Sequence, residues 1–371
     1  QNDLWHTDLA IHNGEPVVCY RQWSTAPPPY FVAVSKRKQD ANFIVSWEET
    51  AVSTDNAYAC ALGVMDGKLV MAYGEGIPGQ DGQRLMFATE VSPGQWVREV
   101  ADSAPEGVYD DGNILYAGRP GHQTELEIHN GIPYIAHRDL TNHVLRVTAK
   151  IAGRWRTITS PAFNDGRLAG LRPKMAATDA GLVILHGRAP FSMSVLDNSD
   201  QADLGLYLSE VSFDLTRANI TDFRAGAFGG AHAITAYEGG YVALFRQRDN
   251  TQFGRNTADS ALQAATFLGG IWFRETDALQ GEALLYRSID GTLDPFGLPV
   301  FAYAQTNLAA AHSPPRDEAV FLMRADDTDG DRLPDVLELD GCFDPLNADV
   351  DNDGRPDGLE ILQGSDPCMA D

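Results

Sequence analysis

An apolar run, a turn built on glycine, and a second apolar run carrying a ring residue recur six times along this chain of 371 residues. The copies are DLAIHNGEPVVCYRQ, ALGVMDGKLVMAYGE, LEIHNGIPYIAHRD, MAATDAGLVILHGR, ITAYEGGYVALFRQ and LLYRSIDGTLDPFGLPVFAYAQ. Aligned on one another, they place Tyr20, Tyr73, His137, His186, Phe245 and Tyr303 in register, 53, 64, 49, 59 and 58 residues apart. A period of this size in a strand-rich chain means a repeat architecture, since one such unit cannot bury its apolar face alone. Each copy reads as a hairpin, because Asn-Gly and Asp-Gly supply the positive φ that a tight turn between two strands requires.

A third strand follows most copies: YFVAVSK, RLMFATEV, VLRVTAKI, LGLYLSEV, AATFLGG and AVFLMRA. A fourth often carries tryptophan, as at Trp47, Trp96, Trp155 and Trp272. Four antiparallel strands repeated six times predict an all-β chain, a six-bladed β-propeller. The expected role of the ring residues and tryptophans is packing between blades. Blade four lacks the tryptophan and blade six a clear fourth strand. Residues 124–159 resemble a bacterial propeller repeat of the form NG-x-P-x-I-A-Y-x-D, L-x-x-A, G-x-W. That resemblance implies a fold and no activity. Neither the aspartate box of sialidases nor WD dipeptides are present.

The charge is uneven. Of the net −24, more than half falls in residues 325–371, which hold 15 acidic and 2 basic side chains. So acidic a chain would be repelled by nucleic acid, while an acidic tail suits a cation. We therefore divide the chain into a propeller, 1–324, and a small C-terminal calcium-binding module, 325–371. Two twelve-residue segments, DTDGDRLPDVLE and DVDNDGRPDGLE, are in register 22 residues apart. Calcium takes six to eight oxygens from a flexible loop. Asp327, Asp329, Asp331, Asp335 and Glu338 in the first loop, with the Leu333 carbonyl, offer that set. Asp349, Asp351, Asp353, Asp357 and Glu360 in the second, with the Arg355 carbonyl, offer it again. Gly354 stands where the second loop bends; Arg332 takes that place in the first. With the following GLEILQGSDPC, the segment resembles the thrombospondin type 3 repeats of bacterial surface proteins more than the paired loops of dockerins. The resemblance implies a calcium-stapled extracellular stalk or cap. So small and charged a segment draws its order from bound metal.

Of the four cysteines, Cys342 and Cys368 around the acidic segment are expected to form a disulfide, while Cys19 and Cys60 in neighbouring repeats are either bridged or buried as free thiols. Pairing suits an oxidising compartment. No apolar run is long enough to span a membrane. The opening QNDLWHTD has no basic segment followed by an apolar one, so no signal peptide is expected within it. The expected location is secreted, periplasmic or cell-surface.

A ligand on the propeller would meet the residues that follow the ring positions: Arg21, Arg138 and Arg246 in alternate blades, with Gly74, Gly187 and Ala304 between. His6, His122 and His232 precede those arginines by 15, 16 and 14 residues. Two chemistries follow. Three imidazoles meeting on an axis would hold zinc or copper. Alternatively the guanidinium groups, with His137, would grip the carboxylate or sulfate of a glycan. His137 beside Arg138, near Tyr20 or Tyr73, would also suit proton abstraction from a uronic acid, as in a polysaccharide lyase. The sequence thus predicts a binding or adhesion module for a glycan or surface protein. A carbohydrate-active lyase or hydrolase, or a metal-holding protein, is the alternative.

Overall fold

The structure is a computed structural model. It describes residues 5–23, 30–39, 45–53, 55–78, 82–103, 107–109, 114–116, 120–160, 167–190, 205–224, 228–237, 240–248, 259–268, 271–272, 276–282, 284–293, 298–307, 318–324, 327–335, 338 and 342–370.

The hairpins form as their turns dictate. Asn13–Gly14, Asp66–Gly67 and Asn130–Gly131 all hold both central residues at positive φ, the geometry whose twist matches that of the flanking strands. The first sheet is β1 (Trp5–His12), β2 (Glu15–Trp23), β3 (Tyr30–Gln39) and β4 (Val45–Ala51), in chain order. The second is β5 (Ala57–Met65), β6 (Lys68–Gly76), β7 (Gln83–Ser92) and β8 (Gln95–Asp102). A two-stranded ribbon, β9 (Gly107–Tyr109) and β10 (Ile114–Tyr116), precedes the third sheet. That sheet is β11 (His122–His129), β12 (Ile132–Asp139), β13 (Val144–Ile151) and β14 (Arg154–Thr159). The fourth is β15 (Arg167–Thr178), β16 (Gly181–Pro190), β17 (Leu206–Val211) and β18 (Ala218–Arg224), so it completes four strands without a tryptophan.

The fifth sheet departs from expectation. β19 (Phe228–Tyr237), β20 (Gly240–Arg248) and β21 (Asp259–Leu268) are followed by β22, only Ile271–Trp272, and then by β23 (Thr276–Glu282), which returns to pair with β21. The sixth has three strands, β24 (Leu284–Leu293), β25 (Pro299–Asn307) and β26 (Glu318–Arg324). A short helix, α1 (Asp357–Gln363), lies in the tail. No helix among the described residues is long and apolar enough to cross a membrane.

The chain forms two compact units, one of residues Gln1–Met175, His186–Phe191 and Ser209–Thr221, the other of Ala176–Leu185, Ser192–Leu208 and Asp222–Asp371. In the first, β5 lies against β1 on one side and β11 on the other. Val17, Val32 and Val34 of the first sheet pack on Leu62, Met71 and Tyr73 of the second. The Cys19–Cys60 disulfide crosses that layer, with both residues buried. Val70, Leu85 and Phe87 continue the stack onto Leu126, Ile135 and Trp155 of the third sheet. The second sheet thus buries both faces. Polar pairs rim the layers: Lys36 with Glu90, Lys150 with Glu99, and Arg146 with Asp102. In the second unit, Ala233, Leu244 and Leu262 pack on Ile289, Phe301 and Tyr303.

Tyr73, His137, His186, Phe245 and Tyr303 are buried, as the repeat predicts. Trp155 packs edge-on against Phe87. Trp47 does not follow: it is half exposed on β4.

Candidate metal centres and the ends of the second strands

In the first acidic loop, carboxylate oxygens of Asp327, Asp329 and Asp331 lie within 4.8 Å of one another, and in the second those of Asp349, Asp351 and Asp353 do the same. The backbone explains the gathering. In each loop the first Asp accepts from later amides of its own turn, Gly330 and Arg332 onto Asp327, Asp353 and Gly354 onto Asp349. The fifth position accepts from the seventh, Leu333 onto Asp331 at 2.6 Å and Arg355 onto Asp353 at 2.9 Å. The fourth and sixth residues are left-handed in both loops: Gly330 and Arg332, Asn352 and Gly354. Arg332 therefore adopts the shape that Gly354 adopts freely, and the two loops share one fold.

The ninth and twelfth positions play different parts. Asp335 accepts the amide and hydroxyl of Thr328 at 2.7 and 2.6 Å, and Asp357 accepts the amide of Val350 at 3.0 Å. These carboxylates clamp the start of each loop. Glu338 and Glu360, the twelfth residues, are 1% and 0% exposed. Among the described residues, neither oxygen of Glu338 has a hydrogen-bond partner. Oδ2 of Asp329, Asp351 and Asp357 and Oε2 of Glu360 have none either. Burial, and then the facing charges of Asp331 and Asp329, push the Glu338 carboxyl up to about 8. Burial likewise raises Asp331 to about 6. Buried carboxylates are ordinarily paired; here they face one another, an arrangement a hard divalent cation neutralises.

The loops are joined. The Gly358 amide donates to Asp331 Oδ2 at 2.9 Å, and a Cβ on Gly358 would lie 2.5 Å from the Asp331 carbonyl. The Cys342–Cys368 disulfide closes the segment.

The histidines and arginines of the sheets fare otherwise. The first two strands of several sheets share a bulge, at His6, Ala59 and Gln123, and between Phe228 and His232. Opposite Arg21 stands Trp5, opposite Arg138 stands His122, and His232 pairs with Phe245, one register position later. His6 lies within its bulge. The three histidines thus occupy three successive register positions, and the repeat does not bring them to equivalent places. Among the described residues no histidine triad for zinc or copper is shown. The side chains of His6, His122 and Arg246 lie outside the described residues.

His137 is not open to a ligand either. Its ring is fully buried; Nδ1 accepts from the Gly121 amide at 3.2 Å, and Nε2 lies 3.0 Å from Thr148 Oγ1 and 3.5 Å from Asp102. His186 repeats the device, with the Gly170 amide at 3.1 Å and Ser209 Oγ at 2.9 Å. A backbone donor on Nδ1 fixes the proton on Nε2. Desolvation lowers the His137 pKa to about 4, so it stays neutral. Arg138 is 0% exposed, while Arg21 lies over the rings of Tyr30 and Tyr58, 4.1 and 5.2 Å from their centres. Gly74 is small for a steric reason: a Cβ there would sit 2.4 Å from the Gly121 carbonyl.

One polar group had no sequence signature. Glu75, fully buried, is held by Arg84 and Arg98, each at 3.0 Å. Beside it, burial and then the Glu75 charge push the Tyr73 phenol up to about 12. The histidine device did have one: Gly121 and Gly170 each stand 16 residues before their histidine.

No protein-family model matches the chain, and no curated protein matches its sequence. Solved structures do. An α-L-arabinanase of Penicillium chrysogenum, complexed with arabinobiose, is 11% identical with a TM-score of 0.52, covering 86% of this chain and 93% of its own. A protein of unknown function from Dyadobacter fermentans is 10% identical with a TM-score of 0.53, covering 87% and 95%. At such identities the likeness is one of fold: antiparallel, mostly four-stranded sheets of the β-propeller class.

Proposed function

We propose that the chain is a secreted, periplasmic or cell-surface protein in which a propeller of residues 1–324 carries a module, 325–371, folded by two calcium ions. The observation that carries this reading is the buried, mutually facing carboxylate set of each loop, above all Glu338, whose two oxygens meet no hydrogen-bond donor among the described residues. Asp327, Asp329, Asp331 and Glu338, with the Leu333 carbonyl, would hold one ion. Asp349, Asp351, Asp353 and Glu360, with the Arg355 carbonyl, would hold the other. Asp335 and Asp357 shape the loops by binding backbone amides. Bound calcium supplies positive charge where burial alone is unfavourable. Sites of this kind in extracellular modules fill at roughly 0.1–1 mM calcium, and the two disulfides suit the same surroundings. Calorimetric titration of the full chain is expected to show two ions per chain, and one for Glu338→Gln. A chain that takes up no calcium at about 5 mM, well above that range, overturns the reading.

For the larger part, the likeness to an arabinanase over most of both chains supports a carbohydrate-directed role, with an enzyme ahead of an adhesion module. Incubation with arabinan, other neutral glycans and polyuronates separates the cases. New reducing ends without a conjugated double bond mark a hydrolase, and new reducing ends with one mark a lyase. Retention on a glycan array without turnover marks a binding module. Absence of all three removes carbohydrate from the account and leaves a surface protein as the partner.

A further inference from the structure

The first calcium loop departs from the second at one residue, Arg332 in place of Gly354, and the departure coincides with a contact that the second loop lacks among the described residues. Tyr237, the last residue of β19, donates its hydroxyl to the Arg332 carbonyl at 2.5 Å. The next residue, Leu333, is 0% exposed and packs in one cluster with Leu268, the last residue of β21, and Ile361 of α1, with Phe343 at its margin. Arg332 has φ 77°, a conformation that residues with a Cβ adopt only when their surroundings hold them there. Both anchors of the loop's bend therefore come from the fifth sheet. Tyr237 fixes the carbonyl at position six, and Leu268 fixes the side chain at position seven.

We propose that Tyr237 and Leu268 are positioning residues of the first calcium loop, and that calcium bound there in turn stabilises the β19–β21 part of the fifth sheet. This rests on the calcium reading above. The physical basis is linkage: an ion that binds only the loop's ordered shape also favours whatever holds that shape, by the same factor in both directions. The tail is then a clamp on the sheet rather than an appendage.

Calcium titrations of the full chain test this with one loop disabled at a time. With the second loop silenced by Glu360→Gln, adding Tyr237→Phe is expected to weaken binding about five-fold, the value of one modest hydrogen bond. Adding Arg332→Gly should recover most of that loss, because glycine holds a left-handed φ without help. With the first loop silenced by Glu338→Gln, Tyr237→Phe should leave the remaining site unchanged. Hydrogen exchange supplies a second readout: calcium should slow exchange in β19 and β21 of the parent chain, and not in Glu338→Gln. Equal effects of Tyr237→Phe on both loops, no effect on the first, or exchange in β19 and β21 indifferent to bound calcium would each overturn the proposal while leaving two calcium sites standing. A parent chain that binds no calcium would remove the underlying reading and this proposal together.

Discussion

Acid should weaken the first compact unit in part through the buried imidazole of His137. His137 is enclosed, its Nδ1 accepts a backbone amide, and its pKa is lowered from 6.5 to about 4 by burial. The folded pKa lies below the unfolded one, so the unfolded chain takes up the proton first. The stability that neutral His137 contributes is intact above pH 6.5 and is lost as pH falls from there towards 4. A separation of this size corresponds to about 3 kcal/mol, at 1.36 kcal/mol for each unit of displacement. That is a large fraction of a domain's typical stability of 5–15 kcal/mol. The assay is urea denaturation of the parent and of His137→Gln at half-unit steps from pH 7.5 to 4, about the window the titration spans. Glutamine keeps an acceptor and a donor near the positions of Nδ1 and Nε2, and it does not titrate. The variant starts less stable at neutral pH, and its curve should then fall less steeply, converging on the parent by about 3 kcal/mol near pH 4. Carboxylates common to both proteins cancel in the difference. Parallel curves, or a His137 ring resonance titrating near 6.5 in the folded state, would refute the reasoning.

Two further perturbations probe the stacking of the sheets. Gly74→Ala places a methyl group 2.4 Å from the Gly121 carbonyl, and the backbones must part; a loss of about 2–3 kcal/mol in unfolding free energy is expected from urea denaturation, whereas a loss under about 0.5 kcal/mol would mean the contact is slack. Replacing Cys19 and Cys60 together by alanine frees a segment spanning 41 residues and should cost about 4 kcal/mol on the chain-entropy model, checked by equilibrium unfolding; an unchanged midpoint would show that the apolar layer around the bridge suffices alone.

Some of this was legible in the residues and some was not, for physical reasons. The hairpins were, because Asn130–Gly131 and its counterparts carry their φ requirement in their own chemistry. The gathering of carboxylates in the two acidic loops was, because aspartates alternating along a turn bring their side chains to one place. The register of the histidines was not, because a bulge moves register by one residue and has no fixed composition: Ala59 and Gln123 occupy it in neighbouring sheets. His137 looked like a ligand and is a core residue, since the glycine 16 positions earlier signals the contact only when Gly121 and Gly170 are compared across repeats. Arg332 looked like a flaw in the first loop because the group that supports it, Tyr237, is 95 residues away. Glu75, Arg84 and Arg98 converge from three strands, and no spacing rule announces such a meeting.

The bond from Gly358 to Asp331 ties the second acidic turn to the first, and no residue larger than glycine fits there. The pair is therefore one indivisible part. A truncation between the two turns, or a graft of either onto a foreign scaffold, would leave a half whose carboxylates have lost their brace. Inheritance of this tail by other chains would have to be of both turns at once.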